Sequence, residues 1–264
     1  MTDKQDDIKD QIRQLYGERA RQASELTLLS SLEAVCCADG TIETQMDKTL
    51  GAYSNIYTQS SLVGISLEAI ASSAGCGNPT ELAGLKVGER VLDLGAGGGL
   101  DCFLAARQVG STGHIIGLDM TADMLALARK NANTLGISNV EFVEGFMENI
   151  PLPDNNVDVI ISNCVVCLSP DKDAVASEAY RVLTPGGRLH ISDIVALGPM
   201  PQELREDPQK WARCASGAEE EEAYLEHFRS AGFVDIGINH DCAPHPQEDN
   251  MPDILCVKVV AYKP

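Results

Sequence analysis

The run Asp93-Leu94-Gly95-Ala96-Gly97-Gly98-Gly99 constrains this chain more than any other segment. It follows Arg90–Leu94, a short apolar stretch of the kind that forms a buried strand. It leads into Leu100–Gln108, whose apolar periodicity suits a helix. Glycine at 95, 97 and 99 lets the backbone turn tightly and lets a ligand come close. The helix that follows then offers N–H groups with no partner of their own. Asp119 stands 20 residues beyond Gly99, at the end of a second strand, His114–Leu118. A carboxylate in that place can accept hydrogen bonds from both hydroxyls of a ribose.

The surrounding pattern supports an α/β fold. Ala122–Leu135 is an amphipathic helix, Val140–Val143, Val157–Ser162 and Arg188–Ile194 read as further strands, and Asp173–Leu183 as a helix ending before Pro185-Gly186-Gly187. Strands alternating with helices imply a mostly parallel, Rossmann-like sheet covered on both faces. Upstream, Ile8, Ile12, Leu15 and Tyr16 predict an amphipathic helix over 5–24, and residues 25–78 are broken in pattern. After Pro199 the alternation lapses into helices near 209–216 and 219–231. Val234–His240 and Ile254–Tyr262 then read as an antiparallel pair at the sheet edge. The chain divides accordingly into an N-terminal helical and loop segment (1–78), a nucleoside-binding core (79–198) and a C-terminal part (199–264).

With 44% hydrophobic and 22% charged residues, the 264-residue chain has ordinary globular composition. Its formal net charge of −19 repels phosphate backbones, which argues against a nucleic-acid partner. No apolar run approaches a membrane span, and MTDKQDDIKDQ carries no signal-peptide core, so a cytoplasmic protein without a membrane partner is expected. Nine cysteines in a reduced compartment argue against a disulfide scaffold. Each is then a packing residue, a ligand or a nucleophile.

Dinucleotide enzymes and methyltransferases share the turn-and-carboxylate geometry. Here the turn is Gly-x-Gly-x-Gly, Pro153-Asp154 precedes the strand that carries Asp158, and Arg181-Val182-Leu183 runs into Pro185-Gly186-Gly187. Over roughly 85–195 this arrangement resembles the class I S-adenosylmethionine (SAM)-dependent methyltransferases. Gly75-Cys76-Gly77-Asn78-Pro79, Asp101-Cys102-Phe103-Leu104, Gly117-Leu118-Asp119-Met120-Thr121, Ile161-Ser162-Asn163-Cys164-Val165, Leu168-Ser169-Pro170 and Cys214-Ala215-Ser216-Gly217 go further and resemble the arsenite methyltransferases, from the Cys36-Cys37 pair onward. The resemblance implies that Cys76, Cys164 and Cys214 hold trivalent arsenic and that Cys36 or Cys37 is a fourth, redox-active cysteine. It implies SAM as methyl donor and a thiol reductant, thioredoxin or glutathione, as co-substrate. It also implies arsenite and methylated arsenicals as substrates, with detoxification as the purpose. On the cofactor side Asp93 would fix the glycine loop and the methionine moiety, Leu118 and Met120 would flank the adenosine, and the Asn163 backbone would meet the amino group. Phe146 occupies the usual place of an acidic adenine partner, which shifts adenine contacts to the Met147 backbone and Glu148.

The chemistry suits the residues. Trivalent arsenic is soft, so thiolates are its natural ligands. Three of them form a pyramid with a lone pair at its apex, and that lone pair can attack a sulfonium methyl in line without a general base. The family has a polar residue where Cys167 stands, which leaves a further thiol near the arsenic open. Packing is the simpler role for Cys102, inside the first core helix, and for Cys256, in an alternating strand. Pro244 and Pro246 mark the segment around Cys242 as an exposed loop. Two other readings compete: a methyltransferase acting on carbon or oxygen of a quinone-like acceptor, and a non-enzymatic thiolate protein that senses or buffers metalloids.

Overall fold

The computed structural model describes residues 2–33, 56–240 and 251–264. Strands β1 (Arg90–Leu94), β2 (His114–Asp119), β3 (Val140–Glu144), β4 (Val157–Asn163), β5 (Leu183–Ala196), β6 (Val234–Asn239) and β7 (Ile254–Tyr262) form one sheet in the order β3-β2-β1-β4-β5-β7-β6. Strands β1 to β5 pair in parallel, while β7 runs antiparallel to both β5 and β6. This is the mostly parallel, Rossmann-like sheet with an antiparallel edge that the strand pattern predicts. Among the described residues, helices of ten or more residues are α1 (Thr2–Glu33), α2 (Leu100–Val109), α3 (Ala122–Leu135), α4 (Lys172–Val182) and α5 (Glu221–Ala231).

Successive side chains of a strand face opposite ways, and the core divides accordingly. Val91, Ile115 and Ile161 pack with Phe103 and Leu125 on one face. Leu92, Leu94, Ile116 and Ile160 pack with Val175, Val182 and Phe228 on the other. Each such fully buried side chain contributes on the order of 1.5–3 kcal/mol. Helix ends follow local chemistry: Asp171 caps α4 by accepting from Ala174 N at 3.0 Å, and Gly136 ends α3 in the left-handed region.

Three expectations need correction. Strand β5 begins at Leu183 rather than Arg188, because Gly186 N bonds to Lys263 O and Lys263 N to Gly187 O (2.9 and 3.0 Å), which keeps the Pro-Gly-Gly run in the sheet. The helix expected over 209–216 is a single turn, Pro208–Trp211, followed by a 3₁₀ turn, Ala215–Gly217. Cys214 separates the two with φ 74°, a backbone that no helix accommodates. The N-terminal helix is longer than the 5–24 expected. It packs against the short helix Leu67–Ser72, α3 and Pro208–Trp211. Among the described residues no helix is long and apolar enough to cross a membrane.

Candidate active site

A cavity open to solvent lies at the carboxyl ends of β1, β2 and β4, with α1 contributing Lys9, Ile12 and Tyr16. The chain crosses from β1 to β2 on one side while β4 lies on the other, and ligands of open α/β sheets bind at such a switch point. Gly95 adopts φ 71°, and a Cβ there would stand 2.5 Å from the Val165 side chain. Its N–H and that of Ala96 both donate to Leu118 O, at 2.8 and 2.9 Å, closing the turn onto β2. Gly97 N donates to Asp119 Oδ2 at 2.9 Å, and Thr121 N to Oδ1 at 2.8 Å, so both carboxylate oxygens are held in place.

Leu118, Met120, Met147 and Glu148 line the cavity, together with Asp93, Gly95, Gly97, Asp119 and Asn163. Glu148 accepts from Ser169 Oγ at 2.7 Å and pairs with Lys9 at 3.3 Å. Gly99 is not among the lining residues. With φ 93° and the Phe103 ring 2.5 Å from where a Cβ would be, it starts α2.

Three carboxylates converge here. Burial, and then repulsion from Asp101, push Asp93 well above the usual carboxylate range, against a hydrogen bond from Cys102 Sγ at 3.2 Å. Asp101 is pushed up to about 6 by burial, opposed by bonds from Asn163 Nδ2 and Tyr57 OH, both 2.9 Å. Burial raises Asp119 as well. A cationic ligand would offset this crowding of negative charge. Sequence reasoning missed Asp101 and Tyr57. An acid in the first turn of α2 looks like an ordinary dipole partner, and nothing local marks Tyr57.

Beside the cavity lies a group of thiols. Cys164, Cys167 and Cys214 have sulfurs within 4.8 Å of one another, and all three are buried. The Cys76 thiol lies near enough to Cys164 and Cys256 to perturb its ionisation. Cys164 thus joins both sets, and it also lines the cavity. Cys164 and Cys214 are two of four non-glycine residues at positive φ among the described residues, at 58° and 74°. Strained backbone of this kind persists where the surroundings over-determine it, often at functional sites. Tyr16 of α1 covers Cys214, with OH 3.4 Å from Sγ.

Cys164 and Cys256, ahead of burial, push the Cys76 thiol up. Cys167 is raised mainly by burial, and Cys214 mainly by Cys164. Cys256 is lowered by Cys76. Beneath them Asp193, fully buried, accepts from Cys167 N and Tyr224 OH, both at 2.9 Å, and is pushed up to about 7 by burial. Neutral, buried thiols are poor nucleophiles toward ordinary electrophiles.

The structure therefore brings Cys76 and Cys214 each to Cys164, and adds Cys167 and Cys256, of which the latter was expected only to pack. Cys102 stays apart, on Asp93. Cys36, Cys37 and Cys242 lie outside the described residues. Asn163 lines the cavity as expected but also acts through its side chain: Oδ1 accepts from Cys76 N and Gly77 N at 3.0 and 3.2 Å, and Nδ2 donates to Gly77 O at 2.7 Å. One amide thereby fastens the Cys76 loop to the nucleoside cavity.

A family described as a methyltransferase domain matches residues 85–232. An arsenite methyltransferase of Halobacterium salinarum is 40% identical over 210 residues, covering 77% of this chain and 54% of that protein. One from Aquipseudomonas alcaligenes is 43% identical over 161 residues, 58% of this chain and 46% of that one. The chain spans about half the length of these curated relatives. Among solved structures, CrArsM, an arsenic(III) S-adenosylmethionine methyltransferase from Chlamydomonas reinhardtii, superposes with a TM-score of 0.68 at 35% identity, over 78% of this chain and 73% of that one.

Proposed function

This chain belongs to the class I SAM-dependent methyltransferases, within the arsenite methyltransferase family, and from that premise we propose that it methylates thiolate-bound trivalent arsenic, arsenite first and methylarsenite next, in detoxification. The observation that carries the proposal is Cys164, which lines the nucleoside cavity and is also the centre of the thiol group.

SAM, when bound, supplies a methyl group on a sulfonium sulfur, and the three crowded carboxylates suit a ligand that is cationic at both sulfonium and amine. Asp119 takes the ribose hydroxyls, Leu118, Met120, Met147 and Glu148 surround the adenosine, and Asp93, Asp101 and Asn163 face the methionine end. On the substrate side Cys76, Cys164 and Cys214 are the thiols assigned to arsenic. The arsenic lone pair carries no proton, so no base is required at the attacking atom. The chain's task is to hold arsenic in line with the methyl group and to exclude water, which Ile12 and Tyr16 of α1 serve. Residues 79–198 form the donor-binding part, and 1–78 and 199–264 the metalloid side.

Each transfer takes arsenic from trivalent to pentavalent. Two thiols that close into a disulfide return the two electrons, and an external thiol, thioredoxin or glutathione, reopens it by exchange. Cys76 with Cys36 or Cys37 is the assigned pair. The expected setting is cytoplasmic, without nucleic-acid or membrane partners. The test is mass spectrometry of arsenic species after incubation with SAM and arsenite, with and without a thiol reductant. Methylated arsenicals whose yield depends on the reductant are expected. Arsenite binding without a methylated product, or methyl transfer confined to a quinone-like acceptor, would overturn the proposal.

A further inference from the structure

We propose that Tyr16 is a positioning residue for the second methyl transfer: its phenol donates a hydrogen bond to the arsenic-bound sulfur of Cys214 and so keeps methylarsenite aimed at the methyl donor. This rests on the proposed function, with Cys76, Cys164 and Cys214 on arsenic, and gives α1 a part in setting the product pattern. Tyr16 OH stands 3.4 Å from Cys214 Sγ, and Tyr16 also lines the donor cavity. While Cys214 keeps its proton, either atom could be the donor. On loading, an As–S bond replaces an As–O bond at Cys214, and the thiol proton leaves with the hydroxide as water. The sulfur then has only lone pairs to offer, so the phenol is the donor.

Packing on both sides holds the phenol where it is. Lys9, Ile12 and Tyr16 recur at helical spacing on the face of α1 that lines the cavity. Ile8 and Ile12 are buried, and Lys9 pairs with Glu148 at 3.3 Å and lies 4.9 Å from the centre of the Phe146 ring. Tyr16 itself packs against two clusters, one holding Cys164 and Cys214, the other Ala20, Met124 and Leu127. Three protein thiolates fix the arsenic of arsenite at the apex of a pyramid. Methylarsenite has two bonds left for sulfur, and Cys76 is the thiol drawn into the disulfide of the relay. Cys164 and Cys214 then hold the arsenic alone, and it can swing about the line joining their sulfurs, carrying its lone pair away from the methyl group. Poor alignment of the reacting atoms lowers the rate steeply. A hydrogen bond that steadies one sulfur therefore matters more when two sulfurs hold the arsenic than when three do.

The test compares the two transfers in the full chain. Arsenite or methylarsenite is supplied separately, with protein and SAM in excess, and mass spectrometry follows the arsenic species through one turnover. Tyr16→Phe keeps the ring and removes only the hydroxyl. It should slow methylation of methylarsenite about tenfold or more and that of arsenite about two- to threefold, with SAM affinity in calorimetry as the check on folding. In repeated turnover from arsenite with a thiol reductant, the variant should leave a larger share of monomethyl product than the parent. Equal slowing of both transfers, greater slowing with arsenite, or no slowing of either would overturn the inference and leave arsenic methylation standing. Loss of SAM binding in Tyr16→Phe would show that the hydroxyl serves the fold, and would overturn it too. A parent chain that methylates arsenite alone has no second transfer to position, which removes the inference. A parent that methylates neither arsenical would sink the inference and the proposed function together.

Discussion

Replacing Asn163 by alanine should loosen the nucleoside cavity and the Cys76 loop in one step. The amide oxygen accepts from two backbone N–H groups, and the amide nitrogen serves Gly77 O, Asp101 Oδ2 and Tyr57 OH at 2.7–2.9 Å. A neutral bond is worth about 1 kcal/mol net and one to a carboxylate about 2 kcal/mol, so the whole set amounts to about 6 kcal/mol if nothing replaces it. The loop is only half-buried at Cys76, and water will recover part of that. A loss of about 2–3 kcal/mol is expected in urea unfolding. The Asp101 carboxyl, at about 6 with this bond in place, should rise further once the bond is gone. Near pH 7 more of it is then neutral, so SAM binding weakens there and recovers toward pH 8.5. Peptide mapping after brief maleimide treatment should show Cys76 alkylated several-fold faster. An unfolding free energy within about 0.5 kcal/mol of the parent, with unchanged Cys76 reactivity, would refute the idea that this side chain couples the two sites.

Other outcomes follow from the same structure. Asp119→Ala should weaken SAM binding about ten- to hundredfold in calorimetry, since charged hydrogen bonds of roughly 1.5–3 kcal/mol are lost; unchanged affinity would remove the ribose assignment. The Cys36→Ser/Cys37→Ser double variant should bind arsenite and transfer one methyl group in a single turnover, yet fall sharply in repeated turnover with a thiol reductant. Cycling at the parent rate would exclude both cysteines from the relay. His190, buried in β5, is held down to about 4 by burial and by Arg188. The unfolded chain, with an ordinary value near 6.5, takes up a proton that the folded chain refuses, so stability falls as pH drops from about 6.5 to about 4, by on the order of 3 kcal/mol. His190→Gln should flatten that part of the pH–stability curve, and an unaltered slope would place the effect elsewhere.

Patterns carried by neighbouring residues were readable without a fold. The bounds of β1, α3 and β7 follow from apolar periodicity, and the tight turn after β1 from the glycines at 95, 97 and 99. Asp119 was placed by its distance from the turn, because a strand-turn-helix-strand unit has a fixed length. What remained hidden depends on where remote segments meet. Cys256 alternates in β7 as a core residue would, and becomes a neighbour of Cys76 only because antiparallel pairing sets it opposite Ile194 of β5. The sequence leaves open whether Cys167 is a further thiol beside the others, and only the 3₁₀ turns Val166–Leu168 and Ala215–Gly217 bring it to Cys214. Asp101 and Asn163 are polar residues in expected places, and the bond between them exists only because α2 and β4 converge at one end of the sheet. Local sequence determines the conformation of each element, whereas the direction of a side chain between elements is decided by how the elements pack.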